Sequence, residues 1–147
     1  MQMQSSLAPT LSICLACRDG RESERCLDRG GARLAEAIRA VAAGQDCPTQ
    51  LRGIRCMSQC KRPCVVSLTA HGAFTYVFGD LDPEDSAHPQ AVLDLIALYR
   101  ATPEGFLKRD VRPIPLRSSI LARLPPIGTT NDLATNLDVI SDREATK

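Results

Sequence analysis

The 147-residue chain contains no tryptophan, and its five aromatic residues are two tyrosines and three phenylalanines. A hydrophobic core built from this composition must depend on aliphatic side chains, although the hydrophobic fraction of 44% is ordinary for a globular protein. Such a core is thin, and a bound metal could add to its stability. The length suits one domain with additional chain left over for a tail.

The chain also has no large excess of charge of either sign, because 18 basic residues are balanced by 17 acidic ones. This balance argues against nucleic acid as a partner. No apolar stretch approaches the roughly 20 residues that a membrane-spanning helix needs. Residues 1–10 have neither the basic start nor the apolar centre of a signal peptide. We therefore expect a cytoplasmic protein that is not embedded in a membrane.

Seven cysteines stand out against this background. Their number is odd and a reducing compartment is expected, so a framework of disulfides is disfavoured. Clustered cysteines in such a compartment are more often metal ligands or redox groups. The cysteine pattern therefore predicts a metal site.

Five of the seven cysteines fall into two clusters. The first is Cys14 with Cys17, and the second is Cys56, Cys60 and Cys64. Two intervening residues allow both sulfurs of the first pair to reach one tetrahedral ion. Each cluster also follows a segment with the pattern of a β-strand. Four or more thiolates from two strand ends predict a shared metal centre.

The residues alone leave the metal open between zinc and an iron–sulfur cluster, since both accept four thiolates. Thiol–disulfide exchange at Cys14 and Cys17 is a weaker alternative, because no helix begins close enough to activate a thiol. Cys47 is better explained as a structural cysteine. Cys26 lies between the clustered cysteines and Cys47 in how well it suits a ligand role. Arg18, Arg21 and Arg25 are interpreted as part of a solvated loop in preference to a positively charged border of the site.

The hydrophobic pattern predicts an α/β domain in the order β-α-β-β-(β)-α. Strands are expected at residues 11–15 and 51–55 and in a hairpin around His71-Gly72, and helices over 32–43 and from about Pro89. Gly44 is expected to end the first helix in a left-handed conformation. The predicted divisions are a flexible N-terminus at 1–10, a metal-site domain at 11–101, and an extended tail at 102–128. This tail would pack on the domain or on a partner, and residues 129–147 are expected to be disordered.

Several motifs resemble a family of poorly characterised proteobacterial predicted metal-binding proteins related to the thioredoxin-like 2Fe-2S ferredoxins. The motifs are ICLACR, CMSQCKRPCVVSL, FTYVFGDL, YRATPEG and a closing RP…ARLPP, over about residues 11–126. The resemblance implies a thioredoxin-like fold and favours Cys14, Cys17, Cys56 and Cys60 as ligands. Cys64 would be a neighbouring or substitute ligand, and Cys26 is a less favoured substitute.

The resemblance implies a 2Fe-2S electron carrier, with an accessory role in cobalamin metabolism suggested by the genes found near family members. The alternative is a non-redox adaptor or metallochaperone that binds zinc or cobalt. Under either interpretation we expect an accessory protein rather than an enzyme. Its partner would be a redox or metal-trafficking protein, and the chain could also form a homodimer.

Overall fold

A five-stranded mixed sheet forms the centre of the fold in a computed structural model that describes residues 8–25, 28–46, 48–128 and 132–137. The sheet order is β2-β1-β3-β4-β5. The strands are β1 (Thr10–Cys14), β2 (Gln50–Ile54), β3 (Val66–Thr69), β4 (Thr75–Phe78) and β5 (Ile120–Leu124). β1 pairs in parallel with β2 and antiparallel with β3, and the remaining neighbours are antiparallel.

Two long helices connect and cover these strands. They are α2 (Gly30–Ala43) and α3 (Ala87–Ala101), and a single helical turn, α1 (Glu22–Arg25), precedes them. The parallel β1-α2-β2 unit followed by the β3-β4 hairpin and α3 is the thioredoxin-like arrangement. This fold confirms the α/β class and the element order predicted from the sequence.

Alternating side chains explain why the hairpin forms where the sequence predicts it. In β3 and β4 every second residue is buried, including Leu68, Tyr76 and Phe78. The turn between the strands contains Gly72 at a φ of +70°, a backbone conformation that favours glycine. Period-two burial and a glycine turn thus position the hairpin.

The aromatic residues lie together despite their small number. Phe74, Tyr76 and Phe78 project from alternate positions near and within β4, and their neighbouring ring centroids are 6.4 and 6.0 Å apart. Tyr99 of α3 meets the Tyr76 ring edge-on, and Phe106 packs against Phe74. A single aromatic column therefore joins the hairpin to α3 and to the chain after it.

The end of α2 differs from the prediction. Gly44 has φ of −94°, so the expected left-handed stop is wrong. Its N–H donates to the Val41 carbonyl, and Gln45 N–H donates to the Ala42 carbonyl. The last turn is closed by hydrogen bonds between residues three apart in the chain. These bonds satisfy terminal carbonyls of the helix without a left-handed residue.

Residues 102–128 are more ordered than the expected extended tail. They contain three 3-10 turns (Pro103–Gly105, Arg109–Val111 and Ile114–Leu116) before β5. β5 pairs antiparallel with β4 and completes the sheet. The expected disorder at 1–10 and 129–147 falls largely outside the described residues. No helix in the described part of the chain has both the length and the apolarity to cross a membrane.

Arg112 holds the segment before β5 in place. Its side chain is buried, and its guanidinium donates to the carbonyls of Leu107, Leu116 and Arg117. Burial lowers the pKa of this arginine. Within the described residues no carboxylate forms an ion pair with it. Backbone carbonyls therefore take the place of a counter-ion.

Replacement of Arg112 by Met is expected to lower the free energy of unfolding by about 3 kcal/mol, because buried carbonyls lose their donors. Arg112→Lys should recover part of this loss. Urea denaturation measures both effects, with Arg109→Met as the control because Arg109 is exposed in the same segment. Equal stability of the Arg112→Met and Arg109→Met variants would contradict the role assigned to Arg112.

Candidate metal centre

The C-terminal end of β1 carries the first cysteine pair into the interior. Cys14 ends the strand and Cys17 follows a tight turn, and their exposed fractions are only 3% and 4%. The Cys14 N–H donates to the Val65 carbonyl, and the Leu15 N–H donates to the Ile54 carbonyl. These bonds fix the pair between the ends of the neighbouring strands.

The second cysteine cluster lies in the loop between β2 and β3. Cys56 and Cys60 are exposed, whereas Cys64 is completely buried. The Ser58 N–H lies 3.4 Å from the Cys56 sulfur, and the Arg62 N–H donates to the Gln59 carbonyl. The loop therefore presents two thiols to solvent and returns the third to the core.

The two cysteine clusters are close enough to change the pKa values of each other's thiols. Burial opposes ionisation of Cys14, but the Cys17 thiol and the backbone N–H groups of Met57 and Ala16 outweigh burial and lower its pKa. Burial and donation to Cys14 raise the pKa of Cys17 to about 12, and Cys60 contributes to that shift. The Cys56–Cys60 loop thus lies beside the first pair.

Cys64 lies behind this arrangement. Burial raises its pKa to about 12, with further contributions from Cys17 and Asp19. Its backbone N–H and carbonyl both bond to Leu81, which attaches this part of the loop to the chain after β4. Cys64 is therefore close to Cys17 electrostatically but enclosed by the core.

Two glycines permit the close packing around this loop and the first pair. A Cβ on Gly79 would lie 2.6 Å from the Arg62 carbonyl oxygen, and one on Gly31 would lie 1.9 Å from the Cys14 carbonyl oxygen. The Gly31 N–H also donates to the Cys17 carbonyl. The start of α2 and the end of β4 consequently press directly on the cysteine-bearing backbone.

An ion-pair network that the sequence patterns did not predict lies beside the first cysteine pair. Arg33 and Arg21 both bind Asp19, and Arg21 also binds Asp82. Arg33 reaches Glu84 at 2.7 Å, which connects α2 with the chain after β4. The alternating signs of the RDGRESER segment could have indicated this network, in place of the solvated loop predicted around Arg21.

Glu22 orders the backbone between Cys17 and α2. Its carboxylate accepts hydrogen bonds from the N–H groups of Asp19, Gly20 and Gly30. Partial desolvation opposes ionisation, but these donors outweigh it and lower the pKa of Glu22 from 4.5 to about 2. The charged carboxylate is therefore favoured by folding.

Glu22→Gln is expected to destabilise the protein at neutral pH, because the amide lacks the negative charge. Since the folded pKa is depressed, the contribution of Glu22 is present above about pH 4.5 and is lost as the pH falls toward 2. Urea midpoints measured across this range should fall less steeply for the variant than for the original chain. Glu36→Gln is the control, because the Glu36 side chain is 72% exposed. Parallel acid profiles for all three proteins would exclude this role.

The predicted ligands thus differ in burial and in how close they lie to one another. Cys14, Cys17 and Cys60 lie near one another, Cys56 is on the same loop, and Cys64 is buried behind Cys17. Cys26 and Cys47 lie outside the described residues. Over the described ranges, no three or more His, Cys, Asp or Glu side chains are grouped at metal-binding geometry.

The fold and the clustered thiols define a thioredoxin-like domain with a cysteine-rich candidate metal centre. The chain belongs to the family described as "Protein of unknown function (DUF1636)", which matches residues 11–126. This match confirms the resemblance to a poorly characterised family that the motifs predicted.

Two solved structures are similar to this chain, both thioredoxin-like 2Fe-2S ferredoxins from Aquifex aeolicus. The first has 18% sequence identity and a TM-score of 0.49, covering 85% of this chain and 100% of the other. The second is a wild-type structure with 14% identity and a TM-score of 0.47, covering 80% and 99%. No curated protein matches the chain.

Proposed function

We propose that this protein is an electron carrier whose Cys14, Cys17, Cys56 and Cys60 bind a 2Fe-2S cluster. The observation that supports this most directly is the convergence of thiols from the end of β1 and from the β2–β3 loop. Four thiolates are the usual ligands of such a cluster. The chemistry of the donor set therefore fits the cofactor.

The surrounding backbone suits anionic sulfur. The N–H groups of Met57 and Ala16 stabilise the Cys14 thiolate, and the N–H of Val65 acts in the same way on Cys17. N–H groups directed at cysteine sulfur stabilise the more negative reduced state and raise the reduction potential of a cluster. When bound, the cluster supplies one-electron chemistry.

The different exposures of the thiols give the site two sides. Buried Cys14 and Cys17 exclude water from one side, while Cys56 and Cys60 are at the surface. In our proposal the exposed loop closes on the buried pair when the cofactor is loaded. The surface around Cys56 and Cys60 is then the shortest route for an electron to a partner protein.

Cys64 is proposed as a neighbouring thiol that becomes a substitute ligand when another is removed. Its nearness to Cys17 supports this role, and its complete burial explains why it ranks behind the exposed pair. Cys26 stays a less favoured substitute. We further propose a cytoplasmic location and, on the motif resemblance, an accessory role in cobalamin metabolism.

The second candidate function is a zinc- or cobalt-binding adaptor or metallochaperone. The same observation supports it, because an all-thiolate set also binds zinc in tetrahedral geometry. The exposed Cys56 and Cys60 would suit the transfer of a metal to another protein. The two functions differ in whether iron and sulfide are present and whether the metal changes its redox state.

An ultraviolet–visible spectrum of anaerobically purified protein separates the two functions, with iron, sulfide, zinc and cobalt quantified on the same sample. An electron carrier should show visible charge-transfer bands with about two irons and two sulfides per chain. A colourless protein with one zinc per chain, which also fails anaerobic reconstitution, would overturn the proposal in favour of the adaptor.

A further inference from the structure

Three exposed cations are adjacent in the chain to cysteines of the candidate site. Arg55 precedes Cys56, Lys61 follows Cys60, and all four residues are exposed. Arg18 follows Cys17, whose thiol lies within electrostatic reach of Cys60, and is exposed as well. We name Arg18, Arg55 and Lys61 the basic rim.

The charges of the basic rim are not neutralised internally. In the portion of the chain that the structure describes, none of the three side chains makes a hydrogen bond or an ion pair. Two nearby cations do have partners, since Arg62 of the loop binds Asp80 and Arg52 of β2 binds Ser12. Residues 52–62 contain no carboxylate. The rim charges are therefore left for an external anion.

The ion-pair network beside the first cysteine pair carries charges of both signs. It contains the carboxylates of Asp19, Glu22, Asp82 and Glu84 and the guanidinium groups of Arg21 and Arg33. Both guanidinium groups are already paired with carboxylates, so this network offers no uncompensated cation to an anionic surface. An approaching anionic surface is thus directed to the rim and to the exposed thiols.

We propose that the basic rim docks a partner protein whose docking face is rich in carboxylates. The inference deepens the proposed function and rests on it, because the rim residues are adjacent in the chain to cysteines of the site through which an electron would leave. A protein is favoured over nucleic acid because the net charge of the whole chain is only +1, which gives no general attraction for a long polyanion. The local charge, not the net charge, selects the partner.

The test measures binding of the full chain to two fluorescent probes by anisotropy. One probe is an oligoglutamate peptide of about ten residues, and the other is a single-stranded DNA of about ten nucleotides. The rim variant combines Arg18→Gln, Arg55→Gln and Lys61→Gln. The matched control combines Arg39→Gln, Lys108→Gln and Arg109→Gln, which removes the same charge from exposed positions elsewhere.

We expect the oligoglutamate to bind more tightly than the DNA, and to bind the rim variant roughly tenfold more weakly than the original chain. The control should bind as the original chain does, and salt should weaken binding because surface charges are screened beyond about 8 Å at physiological ionic strength. Equal weakening in the rim variant and the control would overturn the proposal. DNA binding as tight as peptide binding would also overturn it.

Measuring the metal-loaded and the metal-free chain in parallel separates this inference from the function on which it rests. A chain that assembles no cluster but binds the peptide through the rim would contradict the electron carrier and leave the acidic partner supported. A chain that holds the cluster but binds the peptide equally with and without the rim would contradict the docking surface alone.

Discussion

Gly31→Ala is expected to lower the free energy of unfolding by about 3 kcal/mol or more and to prevent metal retention. The added methyl would lie 1.9 Å from the Cys14 carbonyl oxygen, which belongs to the backbone and cannot rotate away. Overpacking of an interior typically costs about 1–3 kcal/mol, and a backbone clash is at the upper end. To relieve the clash, the start of α2 must move away from the turn that carries Cys14 and Cys17.

Gly44→Ala is the matched control at the other end of the same helix. Its φ of −94° is accessible to alanine, and its nearest neighbour would be the Val41 carbonyl oxygen at 3.8 Å. Urea denaturation should therefore show unchanged or slightly higher stability for this variant. If Gly31→Ala were as stable as Gly44→Ala, the close packing of α2 on the cysteine turn would be disproved.

Cys56→Ser and Cys60→Ser are each expected to reduce metal retention roughly tenfold or more, since loss of a ligand should exceed the loss typical of a supporting group. Both side chains are exposed, so the effect should come from lost ligation and not from a disrupted core. Metal content and circular dichroism measured on the same samples separate these causes. The dichroism of both variants should match that of the original chain.

Cys47→Ser provides the comparison for these ligand variants, because the sequence assigns Cys47 no metal. It should retain as much metal as the original chain. Equal metal content in Cys47→Ser and Cys56→Ser would remove the ligand assignment. Cys64→Ser alone should retain the metal, because Cys64 is proposed to bind only when another ligand is removed. Complete metal loss in this variant would instead identify Cys64 as a ligand in place of Cys56 or Cys60.

Local patterns predicted most of the secondary structure correctly. Period-two burial in β3 and β4 depends only on alternation along the chain. The α2 helix follows from Leu34 and Ile38, which are four residues apart and both buried. These patterns extend over only a few residues, so they can be recognised in a single sequence.

β5 was missed because its local signal is weak. Ile120–Leu124 follows a segment with several prolines, and its strand character comes from pairing with β4. The burial of Arg112 was also not predicted, because arginine is usually a surface residue. Its three backbone carbonyl partners come together only in the folded chain. Both features depend on contacts between distant parts of the chain.

By itself, the sequence determined the fold class, the order of the predicted strands and helices, and the two cysteine clusters, because periodicity and spacing are local properties. Only the tertiary structure decided which thiols are buried, which nearby cations lack partners among the described residues, and how closely α2 packs on the Cys14 backbone. Burial, charge pairing and close packing are properties of surfaces that meet only after folding. The physical character of the candidate site therefore depends on long-range contacts.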